Sequence, residues 1–130
     1  MVEDRITDGR RIAELLSSEL DGREDGGLAA VAVTNADRDV EPTADGARAY
    51  DITRSDERLA RVFVHDDRAH LEFEIEQDTA AETASDIDLR VRPKATTPPR
   101  TLVFVESGAD VKRATDVVQA VSGQLESTDA

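Results

Sequence analysis

The chain has 130 residues, enough for one domain that can bury roughly two-thirds of its unfolded surface without a disulfide or a metal. Its 29 Asp and Glu against 16 Lys and Arg leave a net charge of −13, which repels nucleic-acid phosphates and anionic membranes at long range. The absence of Cys excludes disulfides, thiolate zinc sites, iron–sulfur ligation and cysteine nucleophiles.

The start, Met1 to Arg5, is charged and carries no apolar signal-peptide stretch. Thr7 to Asp21 reads as a helix. Thr7 is placed to cap it, Asp8 sits at its positive end, and Ile12, Leu15, Leu16 and Leu20 form one apolar stripe before Gly22. A charged, Gly-rich loop is expected at Arg23 to Gly27. Leu28 to Val33 reads as a strand buried on both faces, and its six residues are the longest apolar run, against about 20 for a membrane span. Asp37 to Gly46 has no periodicity and reads as loop. Arg48 to Thr53 is a weaker strand with Tyr50 and Ile52 on one face.

Leu59 to Glu76 carries the clearest pattern. Ala60, Val62 and Val64 alternate with Arg61, Phe63 and His65; Leu71, Phe73 and Ile75 alternate with Glu72, Glu74 and Glu76. This is a β-hairpin with one apolar and one charged face, Phe63 being the aromatic exception on the charged side. Two registers fit. One sets His65 opposite His70 and Val64 opposite Leu71; a two-residue turn at Asp66-Asp67 slips the pairing by two and keeps the faces.

Gln77 to Asp86 is rich in Ala, Thr, Ser and acid and reads as loop with at most one helical turn. Ile87, Leu89 and Val91 alternate with charged residues as a fifth strand that Pro93 ends. Leu102 to Val105 is a central strand, apolar on both faces. A helix from about Ala109 to Leu125 carries Val111, Ala114, Val118, Val121 and Leu125 on one stripe, widened by Val117, with Ser107 or Asp110 to cap it. The domain is expected to span 1–126, with 127–130 a disordered tail.

The order helix, strands, helix implies an α+β fold. A mostly antiparallel sheet of five or six strands carries the N- and C-terminal helices on one face, leaving the other face to solvent or a dimer partner. It is similar to profilin-like and sensor-type small domains, where helices from both chain ends cover one sheet face. The composition adds a second resemblance. The acid excess, only two lysines (Lys94 and Lys112) and a core of Ala, Val and Leu resemble the small uncharacterised cytoplasmic proteins of halophilic archaea. A plain acidic binder has no reason to avoid lysine. The resemblance implies a cytoplasmic protein whose self-repulsion is screened in brine, where the Debye length falls to about 3 Å at 1 M salt. Molar KCl is therefore expected to raise the unfolding midpoint, which a salt titration followed by circular dichroism checks.

Two constellations could carry chemistry. His65 and His70, the only histidines, fall at the hairpin mouth beside Asp66, Asp67 and Glu72. His65, His70 and Asp66 are candidate ligands for zinc or another divalent metal, and either histidine is a candidate acid–base group. Arg90, Arg92, Lys94 and Arg100 carry four positive charges with no acid between Asp88 and Glu106. They are candidates for binding an anion or an acidic partner; the alternative is that Arg90 and Arg92 neutralise Glu72, Glu74 and Glu76 on a neighbouring strand. No catalytic or nucleotide-binding motif occurs, so no cofactor is implied. Three classes of function remain: a non-enzymatic interaction or regulatory module with a homodimer or protein partner; a small-anion binder using Arg90, Arg92 and Arg100; and a hydrolase-type enzyme using His65 or His70.

Overall fold

The computed structural model describes residues 7–22, 28 and 30–129, with 126–129 as backbone alone. The expected charged start at Met1 to Arg5 and loop at Arg23 to Gly27 lie outside the described residues. Helix α1 (Gly9–Gly22) is followed by β1 (Val31–Thr34), β2 (Ala47–Arg54), β3 (Glu57–Val64), β4 (Ala69–Phe73), α2 (Gln77–Asp86), β5 (Val91–Lys94), β6 (Arg100–Val105) and α3 (Val111–Asp129). All six strands pair antiparallel in the order β1-β2-β3-β4-β6-β5, so the α+β class and the mostly antiparallel sheet hold.

The period-2 pattern decides which sheet face meets the helices. Ala60, Val62, Val64, Ala69, Leu71, Phe73, Val103 and Val105 are buried against Ile12, Leu16 and Leu20 of α1 and Val111, Ala114, Val117, Val118 and Val121 of α3. The α3 stripe is thereby used within the domain. Each fully buried branched side chain is worth about 2 kcal/mol of transfer free energy.

Several elements depart from expectation. Asp8, not Thr7, caps α1: its side chain accepts the Arg11 N–H at 3.0 Å and its carbonyl accepts the Ile12 N–H. β1 is shorter than the apolar run and lies at the sheet edge. Ala32 is exposed, so the strand is not buried on both faces. Gln77–Asp86 is a full helix. Ala80 and Ala84 are its only fully buried side chains, a stripe too small to stand out in the sequence but suited to close packing beside α3. Ile87 and Leu89 belong to the turn that ends α2, where the Ile87 and Leu89 N–H groups donate to the Ala84 carbonyl. The fifth strand therefore starts at Val91. It contains Pro93, which an edge strand tolerates because its outer side needs no donor. β6 lies inside the sheet between β4 and β5. A 3₁₀ turn, Gly108–Asp110, leads into α3, and Asp110 accepts the N–H of Glu106 instead of capping the first turn. α3 runs to Asp129, through most of the segment expected as a tail.

Two irregularities shape β2 and β3. Ala49 and Leu59 are extra residues in the β2–β3 ladder. The first turns Tyr50 toward α1, where its hydroxyl donates to the Ala13 carbonyl at 2.7 Å. Burial, with Asp21 adding to it, raises the phenol's pKa well above its ordinary value.

Candidate functional site

The β3–β4 hairpin uses the two-residue turn. His65 N–H donates to the Arg68 carbonyl at 2.8 Å across Asp66-Asp67, and Val64, Phe63, Val62 and Arg61 face Ala69, His70, Leu71 and Glu72. The register with His65 directly opposite His70 is thereby excluded, but the slip keeps both rings on the face away from the helices. They meet on the diagonal.

Register then assembles that face row by row. Phe63, His70 and Phe104 are cross-strand neighbours in one row; Asp51, Arg61, Glu72, Leu102 and Arg92 form the next; Arg100 and Lys94 pair beyond them. His70 is flanked by Phe63, stacked at 5.0 Å between centroids, and by Phe104 at 5.6 Å. Phe63 thus has a reason to stand among charges: it shields an imidazole.

A chain of hydrogen bonds runs through the buried groups. The Ala44 carbonyl lies 3.0 Å from His65 Nδ1, His65 Nε2 lies 2.7 Å from His70 Nδ1, and His70 Nε2 lies 2.9 Å from Glu72 Oε2. Glu72 also accepts from Arg100 Nη1 at 2.8 Å and Lys94 Nζ at 3.4 Å. His65, His70 and Glu72 are all nearly inaccessible to solvent. Burial lowers the His70 pKa, helped by the charges of His65 and Lys94 and opposed by Glu72. Burial alone would raise that of Glu72; the bonds from His70 and Arg100, with the Lys94 charge, outweigh it and hold the carboxyl below its ordinary value. Stability tied to a neutral His70 is therefore complete above its ordinary pKa of about 6.5 and is lost as pH falls.

Above this chain lies a cavity of about 600 Å³, lined by His65, His70, Glu72, Leu102 and Phe104 with Arg68, Arg92, Lys94, Ala44 and Asp45 around them. That volume suits a small ligand. The segment at 43–46 forms one wall: Thr43 N–H donates to the Val64 carbonyl, and Gly46, at φ +95°, lies so close that a Cβ there would be 3.1 Å from His65 Nε2 and from His70 Cε1.

The structure brings His65 and His70 together but not Asp66, which is exposed on the turn and does not line the cavity; Glu72 is the carboxylate that joins them. All four imidazole nitrogens are bonded within the protein. Among the described residues no group of three His, Asp or Glu side chains is placed to hold a metal ion. The four cations separate. Arg90 lies outside β5, with its guanidinium 4.2 Å above the Phe104 ring and paired to Glu106, so it does not neutralise Glu72, Glu74 or Glu76. Arg100 takes Glu72 and approaches Glu74, and Lys94 takes Glu72. Arg92 is exposed at the cavity wall, and among the described residues its side chain has no hydrogen-bond or ion-pair partner.

This chain belongs to a protein family described as "Family of unknown function (DUF7993)", whose model matches residues 1–130. No curated protein and no solved structure matches it. No helix among the described residues is long and apolar enough to cross a membrane.

Proposed function

We propose that this domain binds a small anionic ligand, bearing a carboxylate or phosphate group, in the cavity over the His65–His70–Glu72 chain. One observation carries the reading. In a chain of net charge −13, Arg92 stands at the wall of a ligand-sized cavity, beside Lys94 and Arg68, with no ion-pair partner among the described residues. A guanidinium without a partner is free to fork onto an anion, and Lys94, held only by a 3.4 Å contact to Glu72, can turn toward it. Leu102 and Phe104 supply an apolar floor for the rest of the ligand. Arg90 and Arg100 support the reading less directly, because they pair with Glu106 and Glu72. The hydrolase-type reading with His65 or His70 has less support, because each ring nitrogen is hydrogen-bonded within the protein.

Calorimetric titration with inorganic phosphate and with malonate tests the reading. Binding of either, with amide shifts at Lys94, Ala95 and Leu102, is the expected result, and Arg92→Ala weakens it about tenfold. Absence of binding by both probes in low and high salt would remove the anion reading.

A second reading, an interaction module with a homodimer or protein partner, is supported by β1, an edge strand whose outer side pairs with no other strand among the described residues. The acidic, lysine-poor coat supports, for either role, a place in a salt-rich cytoplasm and no affinity for nucleic acid or membrane.

A further inference from the structure

The three links Ala44–His65, His65–His70 and His70–Glu72 each need one proton on a ring nitrogen or between two of them. A carbonyl and a carboxylate sit at the two ends, and both can only accept. Two neutral imidazoles carry two ring protons between them, one short of the number required. The missing proton cannot reside on Glu72, because Arg100 and Lys94 hold that group as the carboxylate. It therefore belongs to the histidine pair. Within the pair, His70 lies between two phenyl rings, whereas His65 has an acceptor on each side: the Ala44 oxygen and the free lone pair of His70 Nδ1. The two facing ring nitrogens lie 2.7 Å apart, within hydrogen-bond distance.

We propose that His65 is an imidazolium that latches the 43–46 segment over the cavity, and that release of one proton from the histidine pair to solvent unlatches it. The direction of the break follows from the strengths of the three bonds. When one proton leaves, the bond to the Glu72 carboxylate is charge-assisted and keeps its proton on His70 Nε2. His70 Nδ1 then remains an acceptor and keeps the His65 Nε2 proton. His65 Nδ1 is left with a lone pair facing the lone pairs of the Ala44 oxygen, and the bond that holds the loop becomes a repulsion. Among the described residues the segment then keeps the 3.4 Å contact between Thr43 N–H and the Val64 carbonyl and, just beyond Gly46, the pairing of Ala47 with Val64.

The charged groups around the pair set the balance. Glu72 on β4 favours a charged His70 and Lys94 on β5 opposes it; Asp45 on the segment, Arg68 on the β3–β4 turn and Arg92 on β5 also line the cavity. Arg100 on β6 acts through Glu72. From α1, Gly9 packs on the His65 carbonyl. An anion bound at Arg92 and Lys94 would cancel the opposing charges and strengthen the latch. The coupling to ligand, though not the latch, rests on the anion-binding reading.

The test is ¹⁵N NMR of the imidazole nitrogens and of the 44–46 amides in the full chain, titrated from about pH 5 to 9. Three protonated ring nitrogens at the acid end, and amide shifts of Ala44, Asp45 and Gly46 that follow the loss of one proton, are expected. His65→Gln, which cannot titrate, should leave those amides independent of pH. Two protonated ring nitrogens with the segment still closed would overturn the latch, as would amides that ignore the titration of the pair. Inorganic phosphate added across the same range separates the two ideas. If phosphate fails to bind at every pH, the anion reading falls while the ring-proton count still judges the latch. If phosphate binds, its affinity should fall severalfold as the segment opens, and a flat profile would overturn the coupling.

Discussion

Gly9→Ala is expected to lower stability by about 3 kcal/mol, at the upper end of the cost of overpacking. Helix α1 begins on the β3–β4 turn: Gly9 N–H donates to the Asp66 carbonyl at 3.2 Å, and the residue is buried. A Cβ at Gly9 would lie 1.8 Å from the His65 carbonyl oxygen and 2.6 Å from that of Arg68. Both obstacles are backbone atoms of a two-residue turn, so no side chain can swing aside. Either the helix end lifts off the turn or the turn distorts, and His65 is displaced with it. Alanine has the higher intrinsic helix propensity, by about 1 kcal/mol, so the expected loss runs against propensity and isolates the contact. Gly123→Ala in α3 is the matched control. A Cβ there would meet nothing within 4 Å, and a gain of roughly 0.5–1 kcal/mol is expected. Urea unfolding of the two variants, with midpoints moving in opposite directions, checks the argument. Equal small effects would show that the α1 end is free to move.

The contrast between these glycines bears on how much the sequence could say. Gly9 sits in the first turn of a helix whose stripe is plain, and nothing in its neighbourhood signals that a hairpin turn lies against it. Local periodicity reports which face of an element is apolar; it does not report what that face meets. The hairpin was legible because both strands alternate strictly over several residues, and parity alone put His65, His70 and Glu72 on one face. Its register was not legible, since two slips satisfied the same parity and only the turn chose between them. α2 was hidden for the opposite reason: its buried stripe is two alanines, too weak to outweigh the surrounding Thr, Ser and acid. The partners of Glu72 depend on strand order. With β6 inserted beside β4 and β5 outermost, Arg100 and Lys94 reach the carboxylate while Arg90 is carried past it to Phe104 and Glu106. The aperiodic stretch that supplies Ala44 and Gly46 has no pattern from which its place over the histidines could be read.

Glu72→Ala is expected to cost about 3 kcal/mol, because it leaves charged and polar donors without the acceptor they share. His70 Nε2–H, Arg100 Nη1 and Lys94 Nζ all converge on this one carboxylate. The loss stays toward the lower end for a broken buried pair, since Arg100 and Lys94 are partly exposed and regain water, whereas His70 does not. Glu72→Gln keeps the shape and one acceptor oxygen, and should cost about half as much. The pH dependence distinguishes a lost charge from a lost shape. Because the folded pKa of Glu72 lies below its ordinary value, the unfolded chain binds the proton first as pH falls. The stability this group contributes is thus complete above about pH 4.5 and drains away below it, through its folded pKa. In Glu72→Gln that limb is missing, so the gap between wild type and variant should narrow on acidification below about pH 4.5. Chemical unfolding of both proteins at a series of acid pH values measures the gap directly. A gap that stayed constant across that range would mean that the charge of Glu72 contributes nothing and that its packing alone holds the histidine in place.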